Sequence, residues 1–221
     1  MGEVRILGVD PGIASCGLAV IGIGEDYYKR RVCALDVIET DKSLCEEGRV
    51  MQVAEALDKL ISEWRPRFIS VEEVRYIPGM AGRSQLISTG MIIGAVLGVS
   101  YSLAGRQVIE GAPAIANIVP ANLWRNTLHG GAKGGELKGD AKVAAALYLK
   151  YPVSILEAVA PKSLMEKSPK AREKAWGHAL DALGLADFTA WGRVPQFSGY
   201  CRGTESYAEA RYTVYAGEIP V

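Results

Sequence analysis

Apolar residues recur along this chain in two patterns, and together they predict a mixed α/β fold. Near-continuous or alternating apolar runs predict three strands at the start: 4–10, 15–23 and 31–39. The charged, turn-like segment Gly24-Glu25-Asp26 joins the second and third strands, which predicts an antiparallel meander. A 3.6-residue period then predicts a helix over 46–64, and the apolar run 67–74 predicts a fourth strand.

The rest of the chain predicts further helices and one more strand. Up to residue 128 we expect a helix over 84–104, a short fifth strand over 107–110 and helix or turn pieces over 113–128. Further along we expect a helix over 140–151, an irregular segment over 154–168, a helix over 170–185 and a strand-like run over 211–215. Asp140 is the expected N-cap of the helix 140–151. Five glycines make 130–139 a flexible basic loop. This order predicts a mixed sheet flanked by helices.

The predicted helix 84–104 is apolar enough to suggest a membrane span, since no charge lies between Arg83 and Arg106. Three glycines recur every four residues, as in packed membrane helices: Gly90, Gly94 and Gly98. Serine, threonine and tyrosine side chains make the helix less apolar than a typical span. Because the flanking segments predict an α/β protein, we expect a helix that is buried or faces a second copy of the chain, with no membrane partner.

Composition and charge limit the function classes that fit. The 221 residues, 49% of them hydrophobic, are enough for one large domain with a sizeable core. The four cysteines form no C-x-x-C pair, so we expect reduced thiols in an intracellular protein, and the N-terminus does not read as a signal peptide. The net charge is zero, but 25–63 carries ten acids and six bases, whereas 121–175 carries ten bases and five acids. The second segment predicts either a polyanion-binding face or ordinary solvated helix surfaces.

Acidic side chains on three separate elements form a candidate metal site. Asp10 ends the first strand, just before a Pro-Gly turn, and a carboxylate there needs a cation or a donor beside it. Glu72 and Glu73 lie in the fourth strand on opposite faces, so only one of them can join Asp10. His178 and Asp181 share one face of the last helix. Carboxylates that meet in one cleft predict bound Mg²⁺ or Mn²⁺, although each residue alone also fits an ordinary hydrogen bond or ion pair.

Three of these segments resemble the motifs of the RuvC family of Holliday-junction resolvases, within the RNase H-like superfamily. They are I-L-G-V-D-P-G at 6–12, I-S-V-E-E-V at 69–74 and H-A-L-D-A-L-G-L-A at 178–186, with a weaker match in K-G-D-A-K at 138–142. The resemblance implies an α/β, RNase H-like fold, in which a mixed five-stranded sheet flanked by helices forms a nuclease domain at 1–186, with a C-terminal extension at 187–221. It also implies a crossover junction endodeoxyribonuclease that resolves four-way DNA junctions by paired symmetric nicks.

The resemblance also implies roles for individual residues. The metal ligands would be Asp10, Glu72, His178 and Asp181, holding two Mg²⁺ ions that Mn²⁺ can replace, and the same four with Lys142 would form the catalytic set. The candidate DNA contacts are Arg75, Tyr76, Arg83, Arg125, Lys133, Lys138 and Lys142. Arg75 stands where relatives often carry an aromatic residue, and 157–174 is a basic insertion. These departures suggest a divergent, phage-type member, located in the cytoplasm of a bacterium or an infected host cell.

A four-way junction has twofold symmetry, so paired nicks predict a homodimer, and the glycine-spaced helix 84–104 is the expected interface. Other functions fit parts of the pattern. An RNase H-like nuclease could act on flaps, other branched substrates or RNA–DNA hybrids. A strand followed by D-x-G also opens actin-like ATPases and sugar kinases, although the chain has no second D-x-G turn. A branched-DNA-binding protein without cutting activity is a further alternative.

Overall fold

The computed structural model describes residues 3–24, 30–74, 83–104, 115–128 and 139–191. Its strands are β1 (Val4–Asp10), β2 (Ser15–Ile23), β3 (Arg30–Glu39), β4 (Phe68–Glu73) and β5 (Ile115–Pro120). Its helices are α1 (Glu46–Trp64), α2 (Arg83–Ala104), α3 (Ala121–Leu128), α4 (Asp140–Lys150), α5 (Val153–Val159), α6 (Lys162–Met165) and α7 (Pro169–Ala190). The predicted bounds of β1, β2 and α1 are confirmed, and those of β3, β4 and α2 shift by a single residue.

The strands form one mixed sheet in the order β3-β2-β1-β4-β5. Strands β1, β2 and β3 pair antiparallel, which confirms the predicted meander, whereas β4 and β5 run parallel to β1. The predicted five-stranded mixed sheet is therefore confirmed. Because the carboxyl ends of parallel strands lie at the same edge of a sheet, the ends of β1 and β4 and the start of α3 come together there.

Helices cover both faces of the sheet because successive strand residues point to opposite sides. One core lies between the sheet and α7, and it contains the buried Ile6 and Leu183. The other lies between the sheet and the pair α1 and α2, and it contains the buried Leu7 and Ile92. This division decides which side chains of β1 and β4 can reach α7.

Helix α7 lies close to the sheet because two strand glycines have no side chain to hold it away. A Cβ atom on Gly8 would lie 1.9 Å from the backbone oxygen of Ala182, and one on Gly17 would lie 2.0 Å from that of His178. Glycine inside a strand often marks such a close approach of another backbone. These two contacts fix the height of α7 above β1 and β2.

The fifth strand does not lie where the sequence predicts it. The expected strand 107–110 falls outside the described residues, whereas 115–120, expected within helix or turn pieces, forms β5. The latter prediction was wrong because Asn117 and Pro120 interrupt the apolar run. An edge strand tolerates both residues, since one of its sides needs no ladder partner.

The last helices also differ from expectation. The segment 154–168, expected to be irregular, contains most of α5 and all of α6, and Gly139 rather than Asp140 caps α4. Helix α7 continues to Ala190, so the expected domain boundary after residue 186 falls inside a helix whose Asp187 and Thr189 side chains are buried. Residues 192–221, with the strand-like run 211–215, lie outside the described residues.

Helix α2, which raised the question of a membrane span, packs beside α1 with Ile92 and Val96 fully buried. Among the helices that the structure describes, none combines the length and the apolarity needed to cross a bilayer.

Candidate metal centre at the sheet edge

Asp10 and Glu72 come from neighbouring parallel strands at the same edge of the sheet. Strands β1 and β4 are in register with Val9 opposite Val71, so Asp10 and Glu72 follow side by side. Both side chains are largely buried, each with 16% of its surface exposed. Two carboxylates are thus brought together by strand pairing alone, before any helix is considered.

The face of the sheet determines which glutamate of β4 belongs to this site. The hydroxyl of Ser70 lies 2.6 Å from that of Thr189, so the side of β4 that carries Ser70 faces α7. Since residues two apart in a strand share a face, Glu72 also points toward α7 and Glu73 points to the opposite side. The choice that strand alternation left open therefore falls on Glu72.

Helix α7 supplies the third carboxylate. One oxygen each from Asp10, Glu72 and Asp181 lie within 4.8 Å of one another. His178, one turn earlier on the same helix, forms a hydrogen bond between its Nδ1 and Asp10 Oδ2 at 2.7 Å. The structure thus brings together all four residues that the sequence singles out as metal ligands.

Hydrogen bonds from Thr40 and Arg49 hold the turn that follows Asp10. The hydroxyl of Thr40 donates to the backbone oxygen of Ile13 at 2.5 Å, and the guanidinium of Arg49 donates to both that oxygen and the Thr40 hydroxyl. The Thr40 backbone N–H also donates to the oxygen of Ala14. Because these bonds tie the turn to α1 and to the end of β3, they limit how far Asp10 can move.

A guanidinium group also lies in the acidic cluster. Arg125, on α3, donates from Nη2 to Asp181 Oδ2 at 2.6 Å, and the same nitrogen lies 4.0 Å from Glu72 Oε2. Its other terminal nitrogen donates to Asp140 at 3.2 Å, at the start of α4. The side chain of Arg125, which the sequence predicts as a DNA contact, thus lies against the acids in this structure.

Burial and neighbouring charge shift the pKa values of this cluster. Burial, with the nearby carboxylate of Asp10, raises the pKa of Glu72 to about 7. Burial also raises the pKa of Asp181 to about 7, although Arg125 opposes the shift. The hydrogen bond to Asp10 raises the pKa of His178. Protons and metal cations therefore compete for the same oxygens near neutral pH.

The residues present fit divalent cations. Within the described residues, Glu72 Oε2 and Asp181 Oδ1 are buried and have no hydrogen-bond partner, and such atoms are costly to bury. A cluster of three carboxylates with one imidazole provides the hard oxygen donors that Mg²⁺ and Mn²⁺ prefer. The orphaned oxygens are thus what a bound ion would satisfy.

A second buried acid on α7 contrasts with this cluster. Asp187 accepts hydrogen bonds from the Nη1 of Arg30 and the Nζ of Lys150, both at 2.6 Å, and from the hydroxyl of Tyr151 at 2.7 Å. Its side chain is 1% exposed. Both oxygens of Asp187 therefore accept hydrogen bonds, whereas Asp181 Oδ1 and Glu72 Oε2 have no donor among the described residues.

The structure covers only part of the predicted DNA-binding set. Arg75, Tyr76, Lys133 and Lys138 lie outside the described residues, and Arg83 is the first residue of α2. Lys142 is half-buried on α4, two residues after Asp140. Among the bases of 121–175 that the structure describes, Arg125, Lys150 and Lys167 form ion pairs with acids.

Two features of the site were not predicted from the sequence. Gly8 and Gly17 interrupt otherwise apolar strands, and that interruption is a signal of close backbone approach. The position of Arg125 had no such local signal, because it depends on α3 following an edge strand that the sequence did not reveal.

Comparison with known proteins places the chain in a family. A family model described as Crossover junction endodeoxyribonuclease RuvC matches residues 6–109, which include Asp10 and Glu72. The RuvC of Paenarthrobacter aurescens is 32% identical over 209 residues, which cover 94% of this chain and 92% of that relative. This chain belongs to the RuvC family. An alignment of this length also includes α7, which carries the third RuvC-like motif.

Other RuvC proteins match over shorter segments. The RuvC of Prochlorococcus marinus strain MIT 9312 is 34% identical over 90 residues, 41% of this chain and 56% of that relative. For this relative and for the RuvC of Fusobacterium nucleatum, which is covered to 50%, the match spans about half of the relative's length.

Two solved structures support the RuvC-type fold. Thermus thermophilus RuvC in complex with a Holliday junction substrate aligns with a TM-score of 0.57 at 19% identity, over 86% of this chain and 96% of that chain. The yeast mitochondrial Holliday junction resolvase aligns with a TM-score of 0.58 at 13% identity, over 85% of this chain and 78% of that chain. At these identities the likeness concerns the fold.

Proposed function

We propose that this chain is a metal-dependent endonuclease that resolves four-way DNA junctions by paired nicks. The observation that carries the proposal is the meeting of Asp10, Glu72 and Asp181 within 4.8 Å at the edge of a RuvC-type sheet. A protein that only binds branched DNA needs no such cluster, whose buried and unpaired oxygens oppose folding in the absence of a cation. Family membership and site chemistry therefore support the same activity.

The chemistry divides among the residues of the cluster. Divalent ions, two in our proposal, supply water activation and charge neutralisation at the cut phosphate when they are bound. Asp10, Glu72 and Asp181 hold them, and Mg²⁺ is the expected ion, with Mn²⁺ as a substitute. His178, oriented by its bond to Asp10, donates or accepts the proton that the reaction moves. Lys142 would lie near the phosphate, where its ammonium group would stabilise the negative charge that develops during cleavage. The expected products are a 5′-phosphate and a 3′-hydroxyl.

The first turns of α7 supply a further candidate for DNA contact. Lys170, Arg172 and Lys174 are exposed there, and Lys174 lies one turn before His178. Bases on such a surface neutralise phosphates and release counterions, so junction binding should weaken as salt rises. The family's junction specificity is not explained by these residues alone, because phosphate contacts position DNA without distinguishing its branches.

A cleavage assay on labelled DNA tests the proposed function. With Mg²⁺ or Mn²⁺, a four-way junction should be nicked symmetrically in opposing strands, whereas EDTA should stop the reaction. Linear duplex, a flap and an RNA–DNA hybrid of matched length serve as controls and should be cut at least about tenfold more slowly, if the branch point is what positions the phosphate. Preferential cutting of the flap or the hybrid would instead favour a general RNase H-like nuclease, and ATP hydrolysis without nicking would favour the actin-like alternative.

We also propose that the active form is a homodimer built on α2. Ile87 is 54% exposed on this helix, and Gly90, Gly94 and Gly98 are exposed at four-residue intervals along the same side. A Cβ atom on any of these three glycines would meet nothing within 4 Å, so the surface has room for another backbone. Two copies facing through such a stripe would place two metal centres about a twofold axis, as paired nicks require.

The dimer proposal predicts that Gly94→Arg yields a monomer. A long charged side chain at the centre of the glycine stripe would block close packing without harming the helix, since arginine is a better helix former than glycine. Light scattering after size exclusion should give twice the 23.7 kDa chain mass for the parent protein and the single mass for the variant. Gly24→Arg, at another exposed glycine with open space around it, is the matched control and should remain dimeric. A monomeric parent protein, or a dimeric Gly94→Arg variant, would contradict the proposal.

A further inference from the structure

The guanidinium of Arg125 lies against two of the three converging carboxylates, Asp181 and Glu72. It binds Asp181 at 2.6 Å with the same nitrogen that lies 4.0 Å from Glu72. Its side chain is 28% exposed, so the group is neither fully buried nor free in solvent. Arg125 is therefore held by the acids that we propose as metal ligands.

One guanidinium cannot serve this cluster in the way that metal ions would. It carries a single positive charge, and it leaves Asp181 Oδ1 and Glu72 Oε2 without hydrogen-bond partners among the described residues. A divalent ion bound to the same oxygens would be repelled by the guanidinium at this short distance. Arginine stays protonated at any pH at which proteins fold, so the repulsion can be relieved only by movement of the side chain.

A second partner for Arg125 lies on the solvent side. Its Nη1 already donates to Asp140 at 3.2 Å, and the Asp140 side chain is 77% exposed. The guanidinium also lies over the ring of Trp124, 5.0 Å from the ring centroid. Rotation of the side chain can therefore break the bond to Asp181 while the bond to Asp140 and the contact with Trp124 persist.

We propose that Arg125 is a built-in counter-ion, which pairs with Asp181 and Glu72 in the metal-free protein and moves out toward Asp140 when divalent cations bind. This inference rests on the metal site of the proposed function, and it adds that the guanidinium of Arg125 competes with metal ions for the carboxylates. It makes Arg125 a positioning residue: it keeps the carboxylates together before the metal arrives, and its release is part of the cost of metal binding. A guanidinium released at this point would lie beside the centre, where the DNA phosphate is expected.

Metal titration without DNA separates this role from ordinary DNA binding. Binding of Mg²⁺ and of Mn²⁺ to the full chain is measured by isothermal titration calorimetry, for the parent protein and for Arg125→Gln. We expect the variant to bind metal about tenfold more tightly, because an ion pair no longer has to be broken. Its metal-free form should melt at a lower temperature, since the acids then repel one another without a counter-ion. Lys59→Gln, which removes the same charge from an exposed position on α1, is the control and should change neither value.

A measurement on the parent protein does not depend on how well any variant folds. An arginine-selective dicarbonyl reagent is applied with and without Mg²⁺, and modified residues are located by mass spectrometry. The release of Arg125 from the acids should make its modification several-fold faster when Mg²⁺ is present, whereas modification of Arg172 should be unchanged.

The outcomes distinguish this inference from the function on which it rests. If the parent protein binds metal but Arg125→Gln binds it equally or more weakly, or if Mg²⁺ leaves the labelling of Arg125 unchanged, the counter-ion role is refuted and the metal site stands. If the parent protein binds no divalent cation, both the metal site and the counter-ion role fail.

Discussion

Asp10→Asn should abolish junction cleavage and leave junction binding intact. The change keeps the size of the side chain but removes one of three carboxylate charges that lie within 4.8 Å, so divalent cations lose a ligand. The substitution also removes the carboxylate whose Oδ2 lies 2.7 Å from His178 Nδ1. Because that hydrogen bond raises the pKa of His178, the pKa should fall in the variant. Loss of both effects should lower the cleavage rate by at least about 10³-fold.

The test compares cutting and binding of the same labelled four-way junction. Cleavage is followed in Mg²⁺, and binding is followed by gel shift in EDTA, where no cutting occurs. Asp58→Asn removes an equal charge from the exposed side of α1 and should retain the parent rate. Glu72→Gln and Glu73→Gln form a second matched pair, because only Glu72 faces α7, and only the first should be inactive. Full cleavage by Asp10→Asn would refute the proposed metal centre.

Gly8→Ala should destabilise the protein by about 3 kcal/mol or more, since overpacking against a rigid backbone is among the costlier single changes. The new Cβ atom would lie 1.9 Å from the backbone oxygen of Ala182, a separation that neither element can accept without moving. Because α7 would have to rise from the sheet, Asp181 would also move away from Asp10. The single methyl group should therefore reduce both the free energy of unfolding and the affinity for metal.

Urea denaturation of the metal-free protein measures the loss of stability. Gly177→Ala is the control on the same helix, where an added Cβ atom would meet nothing within 4 Å. That change should stabilise the protein by about 0.5–1 kcal/mol through helix propensity. Equal unfolding midpoints for the parent protein and Gly8→Ala would show that α7 does not depend on the close contact with β1.

The sequence alone was sufficient for the part of the fold that periodicity controls. Strands β1 and β2 and helix α1 begin and end as predicted because their apolar positions repeat cleanly and a Pro-Gly turn or Pro66 marks their ends. Strand β5 was missed because an edge strand is only partly buried, and Ile118 is 44% exposed within it. The apolar pattern of a strand arises from burial, so a partly exposed strand is hard to predict from the sequence.

The acids of the site could be predicted for a related reason. Asp10, Glu72 and Asp181 interrupt apolar segments, and a charged residue in an apolar run can be recognised from the sequence alone. Arg125 gave no such signal, since it lies on a short helix of ordinary amphipathic character. Its partners come from β4, α4 and α7, which are distant along the chain, so only the assembled fold reveals what it contacts.

Asp187 and Asp181 lie six residues apart on one helix, and both are buried. Arg30, Lys150 and Tyr151 all donate hydrogen bonds to Asp187 in the folded chain, so folding alone compensates this carboxylate. Asp181 shares a single guanidinium with its neighbours, and that balance stays incomplete. One helix therefore carries a fully compensated acid and an incompletely compensated one. Of the two, we expect Asp181 to be the acid whose surroundings change with the ions in solution.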